Sequence, residues 1–219
     1  MLNFLSVDNI AFIVIGYPMS YVELIGTILY LWSVWLIMKR RVLTWPIGIL
    51  SVLLYMVLFY QVRLYSDTLE QVYYLGASIY GWIVWNKSPK NEGQITDVIY
   101  SGRREIIFWV VLTGIVSILV SMLMSRIHIF FPVFFPEAAS YPFLDALTTI
   151  MSFTAMWLMT KKKIESWVYW IIVDAIGIWL YFVKDVKFIS LLYVILLFMA
   201  INGFAAWHKS DRTNAIVKT

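Results

Sequence analysis

The chain has 219 residues; 62% are hydrophobic, only 14% are charged, and the mean hydropathy is +0.80. A soluble domain usually carries about 25% charged residues, so this composition excludes an ordinary soluble domain and indicates a protein that lies in a lipid bilayer. The chain contains no cysteine, which excludes disulfides and thiolate metal sites.

The N-terminal segment, residues 1–21, is predicted to lie at the membrane interface or to be half-inserted in the membrane. Residues 4–20 are apolar, but polar and helix-breaking residues interrupt them at Asp8, Asn9, Gly16 and Pro18. Seven later stretches are each long enough to cross a hydrocarbon core of about 30 Å, which needs roughly 17–25 helical residues. Because these apolar runs do not alternate like barrel strands, we predict helices. In chain order they lie at residues 22–38, 45–62, 68–85, 106–124, 142–160, 167–183 and 188–207.

The basic residues predict the orientation of these spans. Thirteen of the seventeen Lys and Arg residues fall in loops on one side, and only Arg63, Arg126, Lys184 and Lys187 fall on the other. The positive-inside rule places the richer side in the cytoplasm, so the C-terminus is predicted to be cytoplasmic and the N-terminus outside. The clusters Lys39–Arg41 and Lys161–Lys163 are therefore read as topology signals, and we expect no nucleic-acid partner. Several tryptophans near span ends fit interfacial belts: Trp45, Trp82, Trp85, Trp167 and Trp207.

An internal repeat organises the chain. The sequence matches itself when it is shifted by 122 residues, the separation of Glu23 and Asp145, and three tryptophan pairs align in that register: Trp35 with Trp157, Trp45 with Trp167, and Trp85 with Trp207. The copies begin four spans apart, so they share one orientation, as expected of parallel repeats about an axis along the membrane normal. We therefore predict an all-α integral membrane protein with seven transmembrane helices in a 3+1+3 arrangement. Its segments are an interfacial segment (1–21), repeat 1 (22–87), a linking segment with the fourth helix (88–140), repeat 2 (141–209) and a cytoplasmic tail (210–219).

One face of the sixth span is the main candidate for binding a solute. Its residues recur at helical spacing: Trp167, Trp170, Asp174 and Tyr181. Indole rings can stack on a flat heterocycle, and a carboxylate can bind sugar hydroxyls or neutralise a cation. The alternative is an aromatic seam between helices in which Asp174 bonds to a neighbouring helix.

Two further spans supply polar candidates. The third span carries Gln71 and Tyr74 on one face and Tyr80 on the opposite one, and the seventh carries Asn202, which the repeat pairs with Tyr80. An amide offers both a donor and an acceptor to a carboxamide or a sugar. The alternative role of these residues is to join helices through hydrogen bonds, and Gln71 is close enough to the outer end for a purely interfacial role.

Signatures of other functions are absent from the sequence. It has no phosphate-binding loop of the ATPase type, no His cluster that predicts a metal, and no Ser–His or Cys–His pair that predicts catalysis. We therefore expect a protein that is not an enzyme and that has no cofactor and no metal.

The sequence resembles a known family at specific runs. Trp45-Pro46-Ile47-Gly48-Ile49-Leu50-Ser51, Leu64-Tyr65-Ser66-Asp67 with Gln71, and Tyr80-Gly81-Trp82-Ile83-Val84-Trp85 are similar to the bacterial PnuC nicotinamide riboside transporters. The second half agrees through Ser166-Trp167, Trp170, Asp174, Tyr181, Lys184 and Asn202-Gly203. The resemblance extends over nearly the whole chain from about residue 22.

The resemblance implies a SWEET-like fold in the bacterial inner membrane. It also implies uptake of nicotinamide riboside by facilitated diffusion, followed by trapping through a cytoplasmic kinase that feeds NAD synthesis, and it is compatible with a homo-oligomer. Nicotinamide riboside contains a pyridinium cation and a ribose, which match the aromatic and acidic face of the sixth span. The alternatives are a transporter of the same fold for thiamine, a deoxynucleoside, riboflavin or a sugar.

Overall fold

The computed structural model describes residues 5–14, 16–87, 90–91, 95–130 and 140–217. Its helices are α1 (Tyr21–Met38), α2 (Thr44–Gln61), α3 (Tyr65–Asn86), α4 (Arg103–Met124), α5 (Ile127–Phe130), α6 (Pro142–Thr160), α7 (Glu165–Val183) and α8 (Lys187–Val217). Two short antiparallel hairpins precede α1 and α4: β1 (Ile10–Val14) with β2 (Tyr17–Ser20), and β3 (Lys90–Asn91) with β4 (Ile95–Thr96).

The prediction of a helical membrane protein is confirmed. A helix lies at each of the seven predicted spans. Six of these helices are long and apolar enough to cross a membrane: α1, α2, α4, α6, α7 and the part of α8 from Lys187 to Arg212. Helix α3 is long enough but less apolar, because Asp67 and Glu70 lie in its first two turns.

The helices pack as two triplets with α4 on one side. Within the first triplet α1 contacts α2 and α2 contacts α3, while in the second α6 contacts α7 and α7 contacts α8. The triplets meet along two seams, where α1 contacts α8 and α3 contacts α6, and α4 packs against α6. A cleft lined by both triplets is therefore expected between these two seams.

Backbone features recur in the two triplets at the 122-residue offset seen in the sequence. The turn after α1 has Arg40 at a φ of 56°, and the turn after α6 has Lys162 at 63°. The turns after α2 and α7 repeat this with Arg63 at 62° and Asp185 at 60°. A positive φ is uncommon for residues other than glycine, so its recurrence at matched positions shows that both triplets use the same two tight turns.

Four buried tryptophans form a tryptophan core between the triplets: Trp45, Trp85, Trp167 and Trp207. The rings pair edge to face within each triplet, at 5.3 Å between centroids in the first and 5.5 Å in the second. Across the triplets, the centroids of Trp85 and Trp207 are 6.0 Å apart. The prediction of interfacial belts was wrong for these four residues, each at most 2% exposed, whereas Trp82 is 43% exposed.

Glycines allow the tryptophan core to pack closely. A Cβ on Gly81 would come within 2.4 Å of the Trp45 ring, and a Cβ on Gly203 within 2.6 Å of the Trp167 ring. These two pairs occupy equivalent positions in the repeat. At both sites the helix backbone itself forms the surface on which the indole lies, which only glycine permits.

The tryptophan core also bonds the triplets to each other. Trp85 Nε1 donates to the Thr160 carbonyl at 3.1 Å, and Trp207 Nε1 donates to the Ile37 carbonyl at 3.1 Å. The segment before α4 reinforces this end, because Val98 is 1% exposed in the same core and the Ile99 backbone pairs with the loop between α6 and α7. These contacts therefore join the two triplets at the end of the bundle where α1, α3 and α6 end.

Candidate solute-binding site

Asp174 in α7 is the most unusual polar residue of the spans. It is 3% exposed, and its carboxylate makes no hydrogen bond or ion pair with any residue that the structure describes. It lies close enough to the phenols of Tyr30 in α1 and Tyr193 in α8 to interact with them electrostatically. A buried carboxylate is costly unless it is paired, so Asp174 is a candidate for binding a solute.

Four tyrosines from both triplets interact with one another, and two of them, Tyr30 and Tyr193, interact with Asp174. They are called the tyrosine cluster: Tyr30, Tyr74, Tyr181 and Tyr193. Tyr181 and Tyr193 stack with centroids 5.3 Å apart and an angle of 23° between their planes. Tyr193 also interacts electrostatically with Tyr30 and Tyr74. Its ring reaches α7 because Gly177 has no side chain; a Cβ there would lie 2.5 Å from the ring. Gly177 is one turn after Asp174, so the carboxylate and the tyrosine cluster are neighbours.

Helix α3 contributes a second carboxylate that sequence reasoning missed. Glu70 is half-buried and accepts a hydrogen bond from the Thr149 hydroxyl of α6 at 3.1 Å. Glu70 lies close enough to Tyr74 of the same helix to interact with it electrostatically, and Ser152 of α6 is also near Tyr74. An acidic residue within an apolar span is by itself a signal of function, and this signal was present in the sequence. Gln71, the next residue, is also half-buried.

The face predicted on α7 is divided between two environments. Trp167 is 2% exposed in the tryptophan core, and its Nε1 has no partner among the described residues. Tyr181 is part of the tyrosine cluster, and Asp174 lies next to it. Trp170 is half-buried and packs against the tryptophan core on one side and against a cluster around Val173 on the other. Along α7, from the tryptophan core towards the tyrosine cluster, lie Trp170, Asp174 and Tyr181.

Tyr80 and Asn202, which the repeat pairs, have different surroundings. The Tyr80 ring stacks on Trp157 of α6 with centroids 5.3 Å apart, and its hydroxyl is hydrogen-bonded to the Lys161 ammonium. Asn202 is exposed, and its Nδ2 donates to the Phe198 carbonyl of the same helix at 2.7 Å. Among the described residues, the ring and hydrogen-bond contacts of Tyr80 and Asn202 are therefore with α6 and α8 and not with the tyrosine cluster.

Polar contacts hold the opposite end of the bundle. Lys184 forms an ion pair with Asp145 at 2.8 Å. In the β1–β2 hairpin, Tyr17 donates to the two carboxylate oxygens of Glu23 at 2.9 and 3.1 Å and stacks on Phe188 of α8. Burial and the neighbouring Glu23 charge raise the pKa of the Tyr17 phenol to about 12. The hairpin therefore joins α1 to α8 with a phenol that stays protonated at neutral pH.

Comparison with known proteins gives consistent matches over most of the chain. A sequence model of the family described as nicotinamide mononucleotide transporter matches residues 20–209. The nicotinamide riboside transporter PnuC of Escherichia coli is 30% identical, with 96% of each chain covered. The riboflavin/roseoflavin transporter RibM of Streptomyces davaonensis is 24% identical over 94% of this chain and 92% of its own.

The fold also has a solved counterpart. The crystal structure of the vitamin B3 transporter PnuC superposes with a TM-score of 0.69 at 20% identity, and the match covers 88% of this chain and 83% of that one. The family match includes both triplets, the tyrosine cluster and Asp174. This protein therefore belongs to the nicotinamide mononucleotide transporter family of membrane proteins.

Proposed function

We propose that this protein takes up nicotinamide riboside by facilitated diffusion and is not an enzyme. The observation that carries the proposal is the 30% identity, over 96% of the chain, to the Escherichia coli protein named a nicotinamide riboside transporter. A kinase in the cytoplasm would phosphorylate the imported riboside for NAD synthesis. Facilitated diffusion suits a chain whose sequence has no nucleotide-binding loop for active pumping.

The chemistry around Asp174 supports a cationic solute. The pyridinium ring of nicotinamide riboside would place its positive charge near the unpartnered carboxylate, and aromatic faces stabilise such a cation by about 0.5–2 kcal/mol each. Trp170 and the tyrosine cluster supply aromatic surface near this carboxylate. We propose that the solute is bound by residues of both triplets: Trp167, Trp170, Asp174, Tyr181, Asn202, Gln71, Tyr74 and Tyr80, together with Glu70.

The same charges favour the riboside over the mononucleotide that the family description names. The phosphate of a mononucleotide carries about −1.5 to −2 charges at neutral pH. Asp174 and Glu70 would repel it, and Asp67 adds a further negative charge beside Glu70. The charged side chains close enough to Tyr181 to interact with it electrostatically are likewise acidic: Asp67, Asp145 and Glu70.

Riboflavin is the second candidate, because a riboflavin/roseoflavin transporter is among the relatives. Its ring system is neutral and therefore gains no charge attraction from Asp174, although its ribityl hydroxyls can donate hydrogen bonds to a carboxylate. The acidic groups therefore favour the cationic riboside over riboflavin.

The proposal includes a SWEET-like arrangement of three, one and three transmembrane helices, with α3 as the seventh span. The shared turns at Arg40 and Lys162 support a parallel repeat. We propose that the protein lies in the bacterial inner membrane with its N-terminus outside and its C-terminus in the cytoplasm, as its basic loops favour. A homo-oligomer is compatible with the apolar, mostly exposed surface of α4.

Uptake into proteoliposomes tests the solute. Labelled nicotinamide riboside should exchange into vesicles loaded with unlabelled riboside, and excess riboside should abolish the signal. Excess nicotinamide mononucleotide, thiamine or riboflavin should compete weakly. Competition by riboflavin or thiamine, without competition by the riboside, would overturn the proposal in favour of another vitamin.

A further inference from the structure

A lysine and two aromatic rings join the triplets at the α3–α6 seam. The Lys161 ammonium lies 4.6 Å from the centroid of the Tyr80 ring and 4.9 Å from that of Trp157, and it is hydrogen-bonded to the Tyr80 hydroxyl. The two rings are themselves stacked, with an angle of 12° between their planes. Because Tyr80 belongs to α3 and the other two residues to the end of α6, these contacts close the seam.

The equivalent position at the other seam lacks this arrangement. The repeat pairs Lys161 with Lys39, Trp157 with Trp35, and Tyr80 with Asn202. Lys39 is exposed, Trp35 is 47% exposed, and the Asn202 amide is bonded within its own helix.

The α1–α8 seam is instead joined by other contacts. The Trp207–Ile37 bond crosses it, and Arg40 Nη1 donates to the Ser210 hydroxyl at 2.5 Å. Each seam has one bond from a tryptophan Nε1 to a backbone carbonyl, and among these equivalent positions only the α3–α6 seam also has the lysine and ring contacts.

We propose that Lys161, Tyr80 and Trp157 form a cytoplasmic gate, which closes the α3–α6 seam and opens to release the solute. The proposal rests on the function and orientation proposed above, because these place Lys161 at the cytoplasmic end. Cation–π contacts and one hydrogen bond hold the gate itself. The Trp85–Thr160 bond crosses the same seam, so opening must break that bond as well.

The chemistry of the gate also explains how a solute opens it. A pyridinium cation binds aromatic faces for the same electrostatic reason as an ammonium does. A riboside that reaches Tyr80 and Trp157 from the cleft therefore competes with Lys161 for their rings and repels its charge. The cation thus stabilises the open state more than the closed one, as a solute must in order to shift the equilibrium.

Thiol labelling tests the gate without using any solute. The chain has no cysteine, so a Ser152→Cys variant carries a single thiol; Ser152 is 8% exposed and contacts Tyr74. The labelling rate by a membrane-impermeant maleimide is measured separately from each side of oriented vesicles. Adding Lys161→Met removes the cation while keeping the length of the side chain, and we expect labelling from the cytoplasmic side to become about tenfold faster.

Two further variants make the result specific. Lys39→Met removes the matched lysine of the other repeat and should leave the labelling rate at the parental value. Tyr80→Phe keeps the stacked ring but removes the hydroxyl, so it should give a smaller increase than Lys161→Met.

The proposal is overturned if Lys161→Met labels like the parent, if the thiol stays unlabelled in every variant, or if Lys39→Met accelerates labelling equally. Faster labelling from the opposite side only would also overturn it. These outcomes are independent of which vitamin is transported. A failure of riboside uptake therefore leaves the labelling result to judge the gate alone.

Discussion

Replacing Asp174 by Asn removes one charge next to the tyrosine cluster while keeping the size of the side chain and one acceptor oxygen. Asp174 is 3% exposed and unpaired among the described residues. If its partner is the cationic solute, the substitution removes a charge-assisted interaction worth about 1.5–3 kcal/mol. That loss corresponds to a roughly 10- to 150-fold increase in the dissociation constant for nicotinamide riboside.

The same substitution makes an opposite prediction for stability. An unpaired buried carboxylate costs free energy, and a neutral amide of the same shape costs less. The melting temperature of Asp174→Asn without solute should therefore equal or exceed that of the parent. If Asp174 instead bonded helices together, its loss would lower the melting temperature.

Titration calorimetry and thermal melting in detergent check the two expectations together. Asp185→Asn is the matched control: its side chain is 82% exposed beside Lys187, and asparagine tolerates its φ of 60°. The control should bind and melt like the parent, since a surface ion pair contributes little. Binding by Asp174→Asn within threefold of the parent, or a fall in its melting temperature alone, would refute the reasoning.

Three further substitutions test the packing and the polar residues. Gly203→Ala should lower the melting temperature by a few degrees, since its Cβ would come 2.6 Å from the Trp167 ring and overpacking costs about 1–3 kcal/mol. Gly76→Ala is the control, because a Cβ there would enter open space, and it should melt like the parent. If Gly203→Ala melted at the same temperature as Gly76→Ala, the close contact with Trp167 would be refuted. Glu70→Gln keeps an acceptor for Thr149 and removes only charge, so calorimetry should show a binding loss smaller than that of Asp174→Asn, and no loss would exclude Glu70 from the site. Asn202→Leu should slow uptake by proteoliposomes without changing melting, and unchanged uptake would limit Asn202 to its own helix.

The positions of the helices could be predicted because apolar length reports directly on a bilayer. The predicted span 142–160 coincides with α6 (Pro142–Thr160), and 45–62 is within one residue of α2 (Thr44–Gln61). Helix α3 begins at Tyr65, earlier than predicted, since its first turn is polar. Helix α8 continues to Val217, because hydropathy marks the edge of the bilayer and not the end of the hydrogen-bonded helix.

The side-chain environments were harder to predict. A tryptophan near the end of a span is as compatible with a lipid interface as with a core, and only its partner decides. The partner of Trp45 is Gly81 and that of Trp167 is Gly203, at matched positions of the repeat. A hydropathy pattern does not indicate that a tryptophan contacts a glycine of another helix. Lys161 was predicted as a topology signal only, because the sequence does not reveal that Tyr80 lies across the seam.

A density map of the protein with bound nicotinamide riboside would show where the solute lies. We expect solute density between the two triplets, with the pyridinium ring against Trp170 or the tyrosine cluster and a solute atom within hydrogen-bond reach of the Asp174 carboxylate. Density at another place, or an Asp174 carboxylate that bonds to protein while the solute lies elsewhere, would contradict this expectation.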